Sequence, residues 1–529
     1  MSENRTELRA SWIPSLSDVV FASVLGWLFL AGGGAVALLG DGDTGWHIRT
    51  GEYILATGTF PQQDLFSFSR PGQSWFAWEW LSDVVFALAH KAGGLTGVVL
   101  ISGTVIAATS AVLFRFLLWQ GGNALVAILL MLIAGSASTI HWLARPHVFT
   151  YLLFAVSLWV LEADRRRPTR WVFALGALSA LWTNLHGGFA ALVATTGIYL
   201  TGSALETLWA PAAERDWNRV KRYALLLGLV AAGTLLTPYG YHLHQHIFAY
   251  LRSDFILNHV MEFQPPTFRG EGMRHFELML FAGLACVPVL LRRKDATSAL
   301  LILAWAHASL TSARHVLLFV VAASPVVARE LSKLLEQASA RGGWMKILQE
   351  VAADYGVGRP GATRGPAFGW LVPGMVAAVS VVLFAGAGKS EKLRAEFSDR
   401  IFPVKACTAA PNLAGRRIFT SDQWADYLIY RYYPQVKVFL DGRSDFYGAE
   451  LGEEYLRARN SHHEWEQIFE RYSFDLALLP ADWPLTTTIK SHPDWKVKYD
   501  DGKALLLERV RRPEAENAAA PRSGSPPKS

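Results

Sequence analysis

Asp41-Gly-Asp-Thr-Gly-Trp-His-Ile-Arg-Thr-Gly-Glu-Tyr-Ile-Leu-Ala-Thr-Gly58 follows directly on the first long apolar run of the chain, Val19 to Leu39. Two carboxylates therefore stand where a membrane helix leaves the hydrocarbon. Acids at such an exit are cheap to solvate and prove little alone. Trp46, His47 and Arg49 follow at once, and Gly51 and Gly58 allow close backbone approach. On a helix His47, Gly51 and Ile54 share one face, because residues three and four apart are neighbours. The segment reads as the reactive end of the molecule. Every other motif matters according to whether it can reach it.

Working outward, the class of protein is clear from composition. Of 529 residues 51% are hydrophobic and only 18% charged, against about 25% charged in soluble domains. Mean hydropathy is +0.21. Apolar residues come in blocks of about 17 to 25, the length that spans a bilayer. The expectation is a polytopic α-helical membrane protein with about eleven transmembrane helices. The net charge of +6 is no nucleic-acid signal, since the basic residues cluster in short loops between apolar blocks. The 20 Trp and 29 Phe suit membrane interfaces. Cys286 and Cys407 lie far apart without metal-ligand spacing.

Arg5 and Arg9 precede the first run. Ala35-Val-Ala37 resembles a signal-peptidase site, but the run is long for a signal peptide and an uncleaved helix is favoured. Residues 41–94 are too polar to span, and within them 75–91 is aromatic and amphipathic, as expected of a helix lying on the bilayer. Further spans are expected near 95–118, 123–143, 147–163, 169–185, 188–208, 222–237, 275–292, 296–312, 315–333 and 367–387. With a cytoplasmic amino terminus, the basic loops at 164–170, 215–222, 291–295 and 334–366 all fall on the cytoplasmic side. Residues 1–390 form the transmembrane part. Residues 391–512 change to short strand-like runs alternating with helical patterns, a small α/β domain on the extracytoplasmic side. Residues 513–529, rich in Ala, Pro, Ser and Gly, read as a disordered tail.

The same count gathers the unusual polar groups on the outer face: Asp41, Asp43, His47, Asp64 and Glu79; Arg145 and His147; Asn184 and His186; Tyr239; Glu262; Arg314 and His315. Asp43 or Thr44 could simply cap the following helix; the company on that face favours a general base instead. Arg145 and Arg314 stand opposite to the positive-inside bias. Phosphate is one natural partner, for which arginine offers a bidentate fork; structural pairing with Glu79 or Glu262 is the other. His242, His244 and His246 alternate, but no acid between them completes a zinc signature, so an interfacial helix is the better account. Asp441-Gly-Arg-Ser-Asp445 follows a strand and reads as a turn with an Asp–Arg pair. No cofactor is indicated; a divalent cation is compatible with the acids but not called for.

An acidic outer loop after the first span, an interfacial helix, outward Arg and His, and an α/β tail together resemble the GT-C glycosyltransferase superfamily. Asp41-Gly-Asp43-Thr-Gly-Trp-His47, with Gly51, Gly58, Pro61 and Asp64 downstream, is similar to the bacterial dolichyl-phosphate-mannose-mannosyltransferase-like group. The chain lacks the Asp-Glu pair of mannosyltransferases, which leaves open whether Asp41 or Asp43 matches the catalytic acid. The resemblance implies a bacterial inner-membrane enzyme that transfers a sugar, with inversion, from a polyprenyl-phosphate donor in the outer leaflet to a glycan, lipid or protein acceptor. Asp43, or Asp41, is then the base. Arg145, Arg314, His315 and His147 hold the donor phosphate, and His47, Asp64, Glu79, Asn184, His186, Tyr239 and Glu262 contact substrate. A nucleotide is not required, which fits the absence of a glycine-rich phosphate loop. The competing expectations are a transporter or flippase of a lipid-linked solute, which would place charge nearer the bilayer midplane, and a non-catalytic envelope-assembly protein whose α/β tail is a binding module.

Overall fold

The computed structural model describes residues 14–270, 272–354, 369–386, 390–410 and 412–510. The disordered tail expected at 513–529, and Arg5 and Arg9, lie outside them. Six helices among the described residues are long and apolar enough to cross a membrane: Trp80–Trp119, Ala124–His141, His147–Arg166, Gly187–Trp209, Met273–Arg292 and Ala313–Ser339. Leu16–Ala31, Ala296–Thr311 and Leu371–Gly386 are apolar but shorter. The stretches expected near 169–185 and 222–237 are the helices Ala174–Leu185 and Trp217–Gly233. The first has only 12 residues, and the second opens on Arg219, Lys221 and Arg222. Large apolar side chains such as Leu132, Leu225, Phe281 and Val381 face outward, as surfaces in lipid require. The chain is a mostly helical, multi-pass membrane protein.

One sequence expectation needs correction. The first apolar run is not one helix. Leu16–Gly26 continues as a π-turn over Trp27–Ala31, breaks at Gly32–Gly33 and resumes as Gly34–Leu38. The break has a cause: Gly34 has φ 75°, and a Cβ there would lie 2.1 Å from the Lys392 carbonyl oxygen. The amphipathic segment expected at 75–91 is helical from Trp80, residues 75–79 being non-helical. Gly93 and Gly94, whose dihedrals leave the helical region, separate it by a kink from the helix that continues to Trp119. Gly94, at φ 60°, is the position in the bend that favours glycine.

Helix α1, Thr44–Thr57, ends at Gly58 in the left-handed conformation, the usual glycine stop. It lies along the first part of α2, Trp80–Trp119. His47, Gly51 and Ile54 form its buried face, as the helical spacing predicts. Helix α3, His147–Arg166, carries its amino end to the same level, and α4, Val316–Ser339, is apolar and buried along most of its length. At the opposite ends of these helices Arg165 pairs with Glu162 and Asp295 at 2.9 Å each, and Arg222 with Asp164 at 2.7 Å.

Residues beyond 390 fold around a four-stranded sheet of order β1-β2-β4-β3. The strands are β1 Ile418–Phe419, β2 Leu476–Pro480, β3 Trp495–Asp500 and β4 Ala504–Arg509. β1 and β2 are parallel, and β4 is antiparallel to both β2 and β3. Val438 makes isolated bridges to Ser67 and Ile418. The helices include α5, Asp422–Tyr432, then Ser444–Arg459, interrupted at Gly448, and Trp465–Arg471. Phe66, Trp75 and Ala77 of the first polar loop belong to the same apolar core as the sheet. That loop and the carboxyl-terminal part are one packed body, which brings the residues around Asp43 against α5.

Candidate functional site

Asp43 precedes α1 but does not cap it: its side chain bonds no helix N–H. Asp41 takes the local duty instead, its Oδ1 accepting the Asp43 N–H at 2.9 Å. The Asp43 carboxylate is thereby left for Arg145. Arg145 Nη1 donates to Asp41 Oδ2 at 2.9 Å, and Nη2 lies 2.7 Å from Asp43 Oδ2 and 3.7 Å from Glu262 Oε1. The loop bearing Arg145 is pinned in turn: Thr44 Oγ1 donates to the Ala144 carbonyl at 2.8 Å, and the Ala144 N–H donates to Leu38 at 2.7 Å. Arg314 packs its guanidinium 4.2 Å from the Phe263 ring centre and interacts with Glu262 and Tyr250. Burial alone would raise Glu262, but Arg314 and Arg145 more than offset it and hold the carboxyl down at about 2.

The carboxyl-terminal part closes this cluster. Gln423 Oε1 accepts the Gly42 N–H at 2.7 Å. Asp426, on the next turn of α5, is fully buried and faces Asp43. A Cβ on Gly442 would sit 2.1 Å from Asp43 Oδ1 and 2.8 Å from Asp426 Oδ2, so only glycine lets the chain pass beside both oxygens. The Gly442 N–H donates to Asp426 Oδ1 at 3.1 Å. Burial pushes Asp43 and Asp426 above the usual carboxylate range; the Asp43 charge raises Asp426 further, whereas a hydrogen bond with Asp426 draws Asp43 back down.

One helical turn on from Asp43, a buried polar chain begins. His47 Nδ1 is 2.6 Å from Asp83 Oδ1, and its Nε2 is 3.6 Å from Glu79. Glu79 reaches His186 Nε2 at 3.5 Å, and His186 Nδ1 meets Thr150 Oγ1 at 2.8 Å. Trp182 Nε1 donates to the same hydroxyl at 2.8 Å. Burial raises Glu79 to about 8, and burial with Arg314 and Arg145 lowers His186 to about 3. His47 is likewise pushed well down, by burial first and then by Arg145. At neutral pH Glu79 is therefore an uncharged acid between two uncharged imidazoles.

Of the residues singled out from sequence, Asp41, Asp43, Arg145 and Glu262 are in direct contact, with Arg314 beside Glu262, and His47, Glu79 and His186 form the adjoining chain. The others are engaged elsewhere. Asp64 is sealed in an ion pair with Arg443 at 2.8 Å, both side chains almost wholly inaccessible, and cannot meet a substrate there. Asn184 ties helix ends together, donating to Ala180 and Leu236 and accepting from Trp80. Tyr239 packs on Phe76 and Phe60. His147 and His315 bond the carbonyls of His141 and Ala308. The three alternating histidines point to separate partners, Gln245, Thr234 and Asp445. Among the described residues no group of three or more His, Cys, Asp or Glu is arranged to hold a metal. Both cysteines are free and buried.

No family model and no curated protein matches the chain. Solved structures do. The apo crystal structure of the Archaeoglobus fulgidus oligosaccharyltransferase superposes with TM-score 0.55 at 11% identity, covering 88% of this chain and 69% of that one. The A. fulgidus oligosaccharyltransferase AglB in complex with an inhibitory peptide and a dolichol-phosphate gives 0.54 at 10% identity, covering 93% and 73%. The same enzyme tethered to an acceptor peptide gives 0.51 at 10%, covering 94% and 74%. The chain shares the fold of these oligosaccharyltransferases. Within it the acidic loop, the arginines and the sheet-bearing part meet at one end of the helices. Asp426, Gln423 and Gly442 escaped sequence reasoning. The available signal was Asp426 itself, an acid inside the apolar run Trp424-Ala-Asp-Tyr-Leu-Ile429, where a charge without a partner has no place.

Proposed function

We propose that the protein is an integral-membrane glycosyltransferase that moves a sugar from a polyprenyl-phosphate-linked donor to an acceptor on the outer face of the bacterial cytoplasmic membrane. One observation carries the proposal: a single guanidinium, Arg145, is shared by Asp41 and Asp43 of one segment and Glu262 of another, at the rim of a GT-C helix bundle. The chain's likeness to a structure holding a dolichol-phosphate supports a lipid-phosphate donor. In this reading Arg145 and Arg314 receive the donor phosphate, with His47, Glu79 and His186 shaping the adjoining wall. Asp43 takes the proton from the acceptor's O–H or N–H as that atom bonds to the sugar's anomeric carbon. The bond from carbon to phosphate oxygen breaks on the opposite side, and its electron pair leaves on the phosphate, where the arginines stabilise the charge. A single displacement inverts the anomeric centre. Asp43 is preferred to Asp41 as base because Asp41 is occupied by the Asp43 N–H.

The test is release of free lipid phosphate from a panel of undecaprenyl-phosphate monosaccharides by the full-length protein in liposomes. Asp43→Asn should slow release by about 10²–10⁴-fold while the thermal unfolding midpoint stays close to that of the parent. Equal rates in the folded variant would remove Asp43 from the mechanism.

A further inference from the structure

We propose that Asp43 and Asp426 hold one proton between them, and that Asp426 is the positioning residue which keeps Asp43 in place as the base. This rests on the glycosyltransferase reading for its role, but not for its existence. The geometry is specific. Asp43 Oδ1 and Asp426 Oδ2 are both buried, and neither receives a hydrogen bond from any N–H or O–H. Both lie beside Gly442, 2.1 and 2.8 Å from where a Cβ on it would sit. The other oxygen of each is already held, Asp43 Oδ2 by Arg145 and Asp426 Oδ1 by the Gly442 N–H. Two buried acceptor-only oxygens packed beside the same glycine repel unless a proton lies between them.

The surrounding charges require the same proton. Asp41, Arg145 and Glu262 face Asp43 from the neighbouring segments, while Asp441 and Asp422 face Asp426. Asp441 is neutralised by Arg443 at 2.6 Å. Asp422 has Arg459 nearby; what remains is Asp41, Asp43, Glu262 and Asp426 against Arg145 and Arg314, an excess of negative charge that a shared proton reduces. In such a pair the two titrations belong to the pair and not to either residue. With one proton bound, the pair remains an anion able to accept a second from the acceptor. With none, two facing anions would push Asp43 off Arg145.

The first experiment needs no substrate. Full-length protein carrying ¹³C-labelled aspartate, in lipid nanodiscs at pH 7, is compared by infrared spectroscopy at the C=O stretch of protonated aspartic acid. Asp43→Asn and Asp426→Asn should each lose the intensity of one protonated carboxyl, and the double variant should lose no more than either. Losses that add to two, that occur in only one variant, or that are absent in both overturn the shared proton. The second experiment is the pH profile of undecaprenyl phosphate release from undecaprenyl-phosphate monosaccharides. Wild type should fall at alkaline pH, where the shared proton leaves. Asp426→Asn carries a permanent N–H donor and should lack that alkaline fall, whatever its absolute rate, whereas Asp426→Ala should not restore it. Superimposable profiles of wild type and Asp426→Asn overturn the positioning role. If the infrared result holds and no lipid phosphate is released, the pair stands and the glycosyltransferase reading falls.

Discussion

Glu79 shows how burial sets chemistry at the scale of one residue. Its ordinary value of 4.5 is raised to about 8, chiefly by loss of solvent. Unfolded, Glu79 would release its proton near the ordinary value. Between the two the folded protein holds one proton more than the unfolded chain, so stability falls as pH rises through that window, by at most about 1.4 kcal/mol per pH unit. Glutamine matches the neutral acid in shape and has nothing to release. Glu79→Gln should therefore flatten the dependence of thermal unfolding on pH between 5 and 8, its advantage over wild type growing toward pH 8. Parallel curves would mean that Glu79 is charged in the folded state. The acid's existence was legible in the sequence. Its protonation was not, because the groups packed beside it, His47 and His186, come from segments far apart along the chain.

At the scale of an element, α1 was legible and its packing was not. The spacing of His47, Gly51 and Ile54 announces a face, and that face is buried. The reason for glycine at 51 appears only against α2. A Cβ on Gly51 would meet the Asp83 carbonyl oxygen at 2.0 Å, the carbonyl carbon at 2.4 Å and Ala87 Cβ at 2.7 Å. Two of these are backbone atoms of a helix and cannot swing away. Gly51→Ala gains helix propensity, worth about 1 kcal/mol, yet must force α1 and α2 apart, and overpacking of this kind typically costs about 1–3 kcal/mol or more. The net expectation is a lower unfolding midpoint and loss of activity, since separation would stretch His47 away from Asp83. Gly58→Ala offers the contrast: nothing lies within 4 Å of its Cβ position, so only the left-handed backbone resists. Its penalty should be smaller, as thermal unfolding of the two variants side by side would show. The break in the first apolar run was hidden for the same reason as Gly51, because Lys392, which fills the space beside Gly34, lies at the other end of the sequence.

Over the whole molecule, the joint between the helical part and the sheet is made by a motif that looks like an ordinary turn. Arg443 of Asp441-Gly-Arg-Ser-Asp445 is buried, pairs with Asp441 at 2.6 Å and Asp64 at 2.8 Å, and lies 4.5 to 5.0 Å from the ring centres of Trp75, Phe66 and Phe446. Two residues on, Asp445 binds His246 at 2.7 Å and Trp78 Nε1 at 3.3 Å. The turn thus stitches the first polar loop to the sheet, and Gly442 within it is the residue that passes Asp43 and Asp426. Arg443→Met would keep much of the volume and the ring contacts but strand two buried carboxylates. Removing one partner of a buried ion pair costs about 3–5 kcal/mol, because the charges left behind have no counterion. The penalty should therefore be relieved by neutralising those charges: Asp64→Asn with Asp441→Asn in the Arg443→Met background should recover a large part of the lost unfolding midpoint. If the triple variant is no more stable than Arg443→Met alone, the joint is held by shape and not by charge. Glycosyl transfer should follow the joint, falling in Arg443→Met even though Arg443 touches none of the reacting groups, since the turn carrying Gly442 would no longer be fixed beside Asp43.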